Sequence, residues 1–259
     1  MDDQSTPTPI AFETTTKVPN GSATFWVTKV LTTAMGEILS DYLVHRLGNV
    51  PAVALGALGL AAAMLVQFSV PNYVPWIYWT AVAMVAVFGT MAADVLHIQF
   101  GVPYLVSTVF FAAAIAAIFT LWYVAERTLS IHSVYTRQRE VFYWATVMAT
   151  FALGTAAGDM TAKTMNLGYF ASGVGFVVLI AIPALAYWRL GLNSVVAFWS
   201  AYVLTRPVGA SFADWVGKPH NLSGLGIGDP PVIVGLTVMI IGLVVHMTMT
   251  QRHPPVPTA

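Results

Sequence analysis

The stretch Tyr143-Trp144-Ala145-Thr146-Val147-Met148-Ala149-Thr150-Phe151-Ala152-Leu153-Gly154-Thr155-Ala156-Ala157-Gly158-Asp159 carries no charge until its last residue. Its skeleton is an aromatic–tryptophan pair, a glycine ten residues after the tryptophan and an aspartate five after the glycine. The same skeleton stands at Phe25-Trp26, Gly36 and Asp41, at Tyr78-Trp79, Gly89 and Asp94, and at Phe198-Trp199, Gly209 and Asp214. Threonine follows the tryptophan by six in three copies, Thr32, Thr150 and Thr205, and Val85 takes that place in the second. The chain has seven aspartates and four of them fall in this one register, which marks an internal repeat rather than a bias of composition.

Around each copy the chain is apolar. Hydrophobic residues make up 57% of the 259 and charged residues 8%, against about 25% charged in a soluble domain. Eight segments, near 22–45, 50–70, 75–97, 103–125, 139–163, 167–188, 193–216 and 230–250, reach the length of about 20 apolar residues that a spanning helix needs. Glycines and prolines mark the breaks, among them Gly48, Pro71, Gly101, Gly191 and Pro230. The apolar runs are continuous rather than alternating, which argues against strands. The sequence therefore predicts an all-α integral membrane fold, eight transmembrane helices made from four parallel two-helix repeats. Its expected parts are a flexible cytoplasmic tail over 1–18, repeats one and two over 19–125, a cytoplasmic linker over 126–140, repeats three and four over 141–250, and a C-terminal tail over 251–259.

With the N-terminus inside, the inner loops hold Lys17, Arg127, Arg137, Arg139, Arg189 and Arg252, and the outer ones Arg46, Lys163 and Lys218. That bias places both termini in the cytoplasm. Eleven basic residues balance eleven acidic ones, so nothing draws the chain toward nucleic acid; its expected partners are the lipid bilayer and a cation or small solute. The chain has no cysteine, which excludes disulfides, thiol redox chemistry and thiolate metal sites.

The repeat resembles a bacterial family of membrane proteins known by a tandem repeat of unknown function, with two spans and a tryptophan per repeat. The resemblance runs from about Lys17 to His246 and includes Lys29, the Gly36-Glu37 pair and the central stretch Glu126-Arg127-Thr128-Leu129-Ser130-Ile131-His132. It implies a four-repeat protein of the bacterial inner membrane and brings no established activity.

Function rests on the polar residues within the spans. The motif helices all run in one direction, so Asp41, Asp94, Asp159 and Asp214 share one depth, about 22 Å beyond their tryptophans at 1.5 Å per residue. A charge there is costly unless paired, hydrated or protonated. Four at one level suggest a polar cavity or a bound cation; four equivalent helix caps are the plainer alternative. Glu37, Asp41 and His45 form one stripe at i, i+4 and i+8, and His97 stands three residues after Asp94. The expected metal ligands are thus Glu37, Asp41, Asp94, Asp159, Asp214, His45 and His97, a set that suits Mn²⁺, Fe²⁺ or Zn²⁺ as transported substrate. Lys29 and Arg206 are candidate partners for two of the acids, and Lys163 and Lys218 for Asp159 and Asp214 four residues earlier. The motif glycines suggest close helix packing, and the tryptophans an interfacial belt. Gly224 to Asp229 suggests a flexible connector, and the central loop either a linker or a cytoplasmic gate.

Parallel repeats with polar residues in the spans point to a secondary transporter, and a divalent metal, manganese above others, is the sharpest form of that expectation. A proton-coupled carrier of a small organic solute is the alternative, followed by an intramembrane enzyme or a scaffold. No metalloprotease, serine-elbow or phosphate-loop motif stands in a suitable context, so the chain reads as a non-enzyme without a resident cofactor.

Overall fold

The computed structural model describes residues 16–252. Within them lie eight long helices: α1 (Ala23–Leu47), α2 (Asn49–Ser69), α3 (Pro75–Asp94), α4 (Tyr104–Glu126), α5 (Arg137–Asp159), α6 (Gly168–Leu190), α7 (Ser194–Gly217) and α8 (Asp229–Arg252). α3 and α5 run on into π turns, Val95–Gln99 and Met160–Thr164, each directly after the motif aspartate. Local chemistry sets the ends. Ser22 caps α1 by accepting from Phe25 N at 3.2 Å, Thr136 caps α5 and Asn193 caps α7, while Gly191 ends α6 with a positive φ of 68°.

The inner helices α1, α3, α5 and α7 form a closed ring in which each packs on two others. The motif glycines make the contacts. A methyl added to Gly36 would strike Ala86, one on Gly89 would strike Phe151, one on Gly154 would strike Arg206, and one on Gly209 would strike Thr33. Each struck residue lies seven positions after the tryptophan of the next repeat, and the fourth repeat closes onto the first. The same contact made four times around a circle is the mark of parallel copies related by rotation. The outer helices follow the same rule: α2 packs mainly on α3, α4 on α5, α6 on α7, and α8 on α1. Each repeat thus lends its second helix to its neighbour.

Six helical stretches, Asn49–Ser69, Pro75–His97, Tyr104–Glu126, Arg137–Thr164, Gly168–Leu190 and Asp229–Thr250, are long and apolar enough to cross a membrane, which is compatible with a multi-pass membrane protein. The sequence leads one to expect eight. α1 and α7 fall short because they carry most of the polar residues of the ring, and these turn inward: Thr28, Lys29, Thr32, Thr33, Glu37, Arg206 and Asp214 are all buried.

Two further expectations change. The tail expected over 1–18 is folded at its described end: Thr16 donates to Ile131 O at 3.0 Å, Lys17 N to Val134 O at 2.9 Å, and Val18 joins the core. Residues 1–15 and 253–259 lie outside the described residues. Of the four motif tryptophans only Trp26 stays partly exposed, so they do not form a peripheral belt together. Trp79, Trp144 and Trp199 are buried with Phe25, Tyr78, Tyr143 and Tyr202 in one aromatic cluster, because the borrowed outer helix and the central loop cover them; Trp199 Nε1 donates to Leu129 O at 2.9 Å.

Candidate functional site

Counting along each inner helix in steps of four from the residue before its tryptophan gives a column running through the ring, buried except at Phe198, Asp41 and Asp94, which are partly buried. The first layer holds Phe25, Tyr78, Tyr143 and Phe198, the second Lys29, Val82, Val147 and Tyr202, and the third Thr33, Ala86, Phe151 and Arg206. The fourth holds Glu37, Thr90, Thr155 and Ala210, and the last the four motif aspartates. Side chains i and i+4 lie one above the other on a helix, so the repeat register becomes a set of levels. One end of the axis is aromatic and the other acidic.

The aromatic end is closed. Tyr78 and Tyr143 share a hydrogen bond of 2.5 Å between their hydroxyls. Beyond them the segment Thr16 to Val18 is strapped to the central loop, and Lys17 Nζ donates to Glu140 Oε2 at 2.6 Å, with Gln67 Nε2 on the other carboxylate oxygen at 3.0 Å. This cluster joins three distant parts of the chain and is nearly sealed from solvent, with 1% of Glu140 exposed. Nearby, burial pushes the Tyr73 phenol up to about 12.

In the middle, Arg206 is the hub. It is fully buried, and its Nη2 donates to Glu37 Oε2 at 2.7 Å, to Thr155 Oγ1 at 2.8 Å and to Thr90 Oγ1. One guanidinium therefore ties together all four inner helices. Gly154 leaves room for its stem, and Pro207, the next residue, lies within α7 without ending it. Lys29 sits one layer closer to the aromatic end. Its Nζ lies 4.0 Å from the centre of the Phe151 ring and 4.3 Å from that of Tyr202, and among the described residues it meets no hydrogen-bond acceptor.

At the acidic end Lys218 reaches Asp41 and lies 3.8 Å from Asp214 Oδ1, and Lys163 bonds Asp159 at 2.9 Å. Burial works against the Lys218 ammonium, yet Asp214 and Asp41 outweigh it and hold its pKa above the ordinary lysine value. Asp94 stands in the field of Glu37, Asp41 and Asp159 and, among the described residues, forms no ion pair. The glycine-rich connector has a definite job here. Leu225, Gly226, Ile227 and Gly228 donate their N–H groups to Trp215, Lys218, Val216 and Gly217 carbonyls, closing the end of α7 beside the lysine.

The expected ligands therefore separate. Asp41, Asp94, Asp159 and Asp214 gather at one level with Glu37 one layer below. His45 is exposed, with Nδ1 2.7 Å from the Asp41 carbonyl of its own helix. His97 turns toward the start of α4, where its ring meets Val102 O at 3.0 Å, Ser107 Oγ at 3.3 Å and the Tyr104 ring. Among the described residues no three His, Asp or Glu side chains are placed to hold one metal ion together. The lysines four residues after Asp159 and Asp214 pair as the spacing suggests, and Arg206 takes Glu37. The bridge from Lys218 across to Asp41 and the Lys17–Glu140–Gln67 cluster are not foreshadowed by the repeat.

A family model described as Repeat of Unknown Function (DUF347) matches the chain four times in tandem, over residues 24–73, 77–128, 142–192 and 197–253. No curated protein and no solved structure matches the chain.

Proposed function

We propose that this chain, which belongs to the DUF347 repeat family, is a secondary membrane carrier that loads a cation at the ring of Asp41, Asp94, Asp159 and Asp214. The observation that carries this reading is the imbalance at the acidic end. Five carboxylates from all four inner helices meet three basic side chains, Arg206, Lys163 and Lys218, and among the described residues Asp94 is left outside every ion pair. In the proposed setting all eight helices cross the inner membrane with both termini in the cytoplasm. α1 and α7 cross as the lining of the axis, and the acidic end faces outward. The strapped aromatic end then closes the cytoplasmic side, the arrangement expected of a carrier held in one of its two states.

The proposed cargo is a divalent metal ion, manganese first. Carboxylate oxygens suit such an ion, and the Lys218 ammonium between Asp41 and Asp214 holds a place that a metal would take once Lys218 swings out. The lack of three preassembled ligands favours the second reading, a proton-coupled carrier of a small organic solute in which Asp94 exchanges the proton. The test is uptake of Mn²⁺, Fe²⁺ and Zn²⁺ into proteoliposomes with and without a pH gradient. Asp94→Asn should lower uptake at least tenfold. Its thermal midpoint should not fall, since among the described residues Asp94 has no ion pair to lose. Full uptake by Asp94→Asn would sink the ring as the loading site. An unmodified protein that moves no divalent ion, yet moves protons when organic solutes are added, selects the second reading.

A further inference from the structure

We propose that the seam between the fourth repeat and the first seats one acyl chain of a cytoplasmic-leaflet phospholipid, between α1, α6 and α7 and beneath the central loop. A cavity of about 600 Å³ lies there, within the size range of ligand sites. The repeat register shows why this seam is open. At the seam between repeats three and four, Phe119 and Trp122 of α4 stand 40 and 43 residues after Trp79, and Phe142 stands two before Trp144. Trp122 stacks on Phe142 at 6.1 Å and meets Trp199 at 5.9 Å, and Phe119 meets Trp199 at 5.1 Å. One repeat later the same register positions hold Ala184, Tyr187 and Ala197, with Trp26 in the place of Trp199. Two rings have become methyl groups, and all four of these residues line the cavity. Trp122 is fully buried, whereas Tyr187 is 54% exposed.

Length and polarity select the occupant. On α6 the wall runs through Val177, Ile180, Ala184 and Tyr187, one helical face about 15 Å long at 1.5 Å per residue. That is the depth of one leaflet in a hydrocarbon layer about 30 Å thick. Ser130, His132 and Ser194 gather at the end under the central loop, where His132 and Ser194 are exposed. Thr205, deeper in, gives its hydroxyl to Tyr202 O at 2.7 Å. Val177, Ala184 and Tyr187 are exposed, so the slot opens along its side, toward acyl chains in the membrane setting proposed above. A long apolar slot with a polar mouth at one end suits a lipid tail whose head group lies at His132 and Ser194. The tail also backs the loop that closes the aromatic end: Leu129 and Ile131 line the same cavity and accept from Trp199 and Thr16. The inference rests on the membrane setting and is independent of the cargo.

The experiment counts retained lipid. Full-length protein is reconstituted in vesicles of equal parts palmitoyl-oleoyl phosphatidylethanolamine and phosphatidylglycerol. It is then re-extracted in dodecyl maltoside, freed of loosely held lipid by gel filtration and weighed by native mass spectrometry. One phospholipid per chain should remain. The double variant Ala184→Phe with Ala197→Phe restores the two rings found at the preceding seam. It should elute as the unmodified protein does and retain at least tenfold less lipid. An unmodified protein that retains no phospholipid, or a double variant that retains as much as the unmodified protein, overturns the proposal. Should the double variant fail to fold, Ala197→Leu, a smaller filling, decides: retention lowered at least threefold supports the seat and full retention refutes it. Flotation of the protein with the vesicles checks the membrane setting separately, so its failure is told apart from an empty seam.

Discussion

Replacing Glu37 by glutamine should destabilise the protein, because among the described residues its carboxylate is the sole charged partner of Arg206. Glu37 is 5% exposed and Arg206 not at all. Of the three side chains that accept from Arg206 Nη2, Thr90 and Thr155 are neutral. Removing one partner of a buried pair costs about 3–5 kcal/mol, since the other charge is left uncompensated. In a protein of this size each kcal/mol moves the thermal midpoint by roughly 2–4 °C, so Glu37→Gln should lower it by roughly 6–20 °C. Adding Arg206→Met removes the stranded charge. Thr90 and Thr155 then keep their bonds to Ala86 O at 3.0 Å and Phe151 O at 3.2 Å. The double variant should regain most of the loss, with a coupling of about 2 kcal/mol or more. The assay is tryptophan-fluorescence melting of the detergent-solubilised proteins. Losses that simply add, or a Glu37→Gln midpoint equal to that of the unmodified protein, would refute the role given to this pair.

Two other changes test the ring and its closed end. Gly36→Ala brings a methyl to 2.9 Å from the Ala86 carbonyl carbon, which is backbone and cannot swing aside; melting should show a loss of about 1–3 kcal/mol. Gly158→Ala, whose new methyl would find nothing nearer than 3.8 Å, should be neutral within about 0.5 kcal/mol, and equal effects at the two sites would contradict the packing described. Lys17→Met strands Glu140 with Gln67 alone, so amide exchange at Lys17, which donates to Val134 O, should quicken at least tenfold. Unchanged exchange there would mean that the ion pair does not hold the strap.

The repeat made the ring legible in advance because its register fixes levels. Gly36 and its equivalents read as close-packing residues, and each does lie against the next helix. Arg206 and Glu37 stand seven and eleven residues after their tryptophans, one helical turn apart in level, so their pairing was within reach of the same count. Rotation about each helix axis was not. A tryptophan near the end of an apolar run suits an interface as well as a core, and only the borrowed outer helices decide that Trp79, Trp144 and Trp199 are buried. The histidines misled for a related reason: spacing put His45 on the stripe of Glu37 and Asp41, but at a level where the helix has already left the bundle. Lys17 and Glu140 are separated by 123 positions, and no periodicity joins them. Their contact follows from where the central loop crosses the aromatic end.

The closure of the fourth repeat onto the first also orders the protein's birth. Of the eight described helices α1 leaves the ribosome before the others, yet its outer companion is α8 and the partner of its Glu37 carboxylate is Arg206, 169 positions further on. At about 5–20 residues per second, Glu37 waits roughly 8–34 s for the guanidinium that neutralises it. Throughout that interval the most polar of the early helices lacks the neighbours that α7 and α8 supply, and Gly209 has not arrived to close against Thr33. The nascent chain must therefore be held as an open arc of repeats, its two ends kept within reach, until α7 and α8 are made.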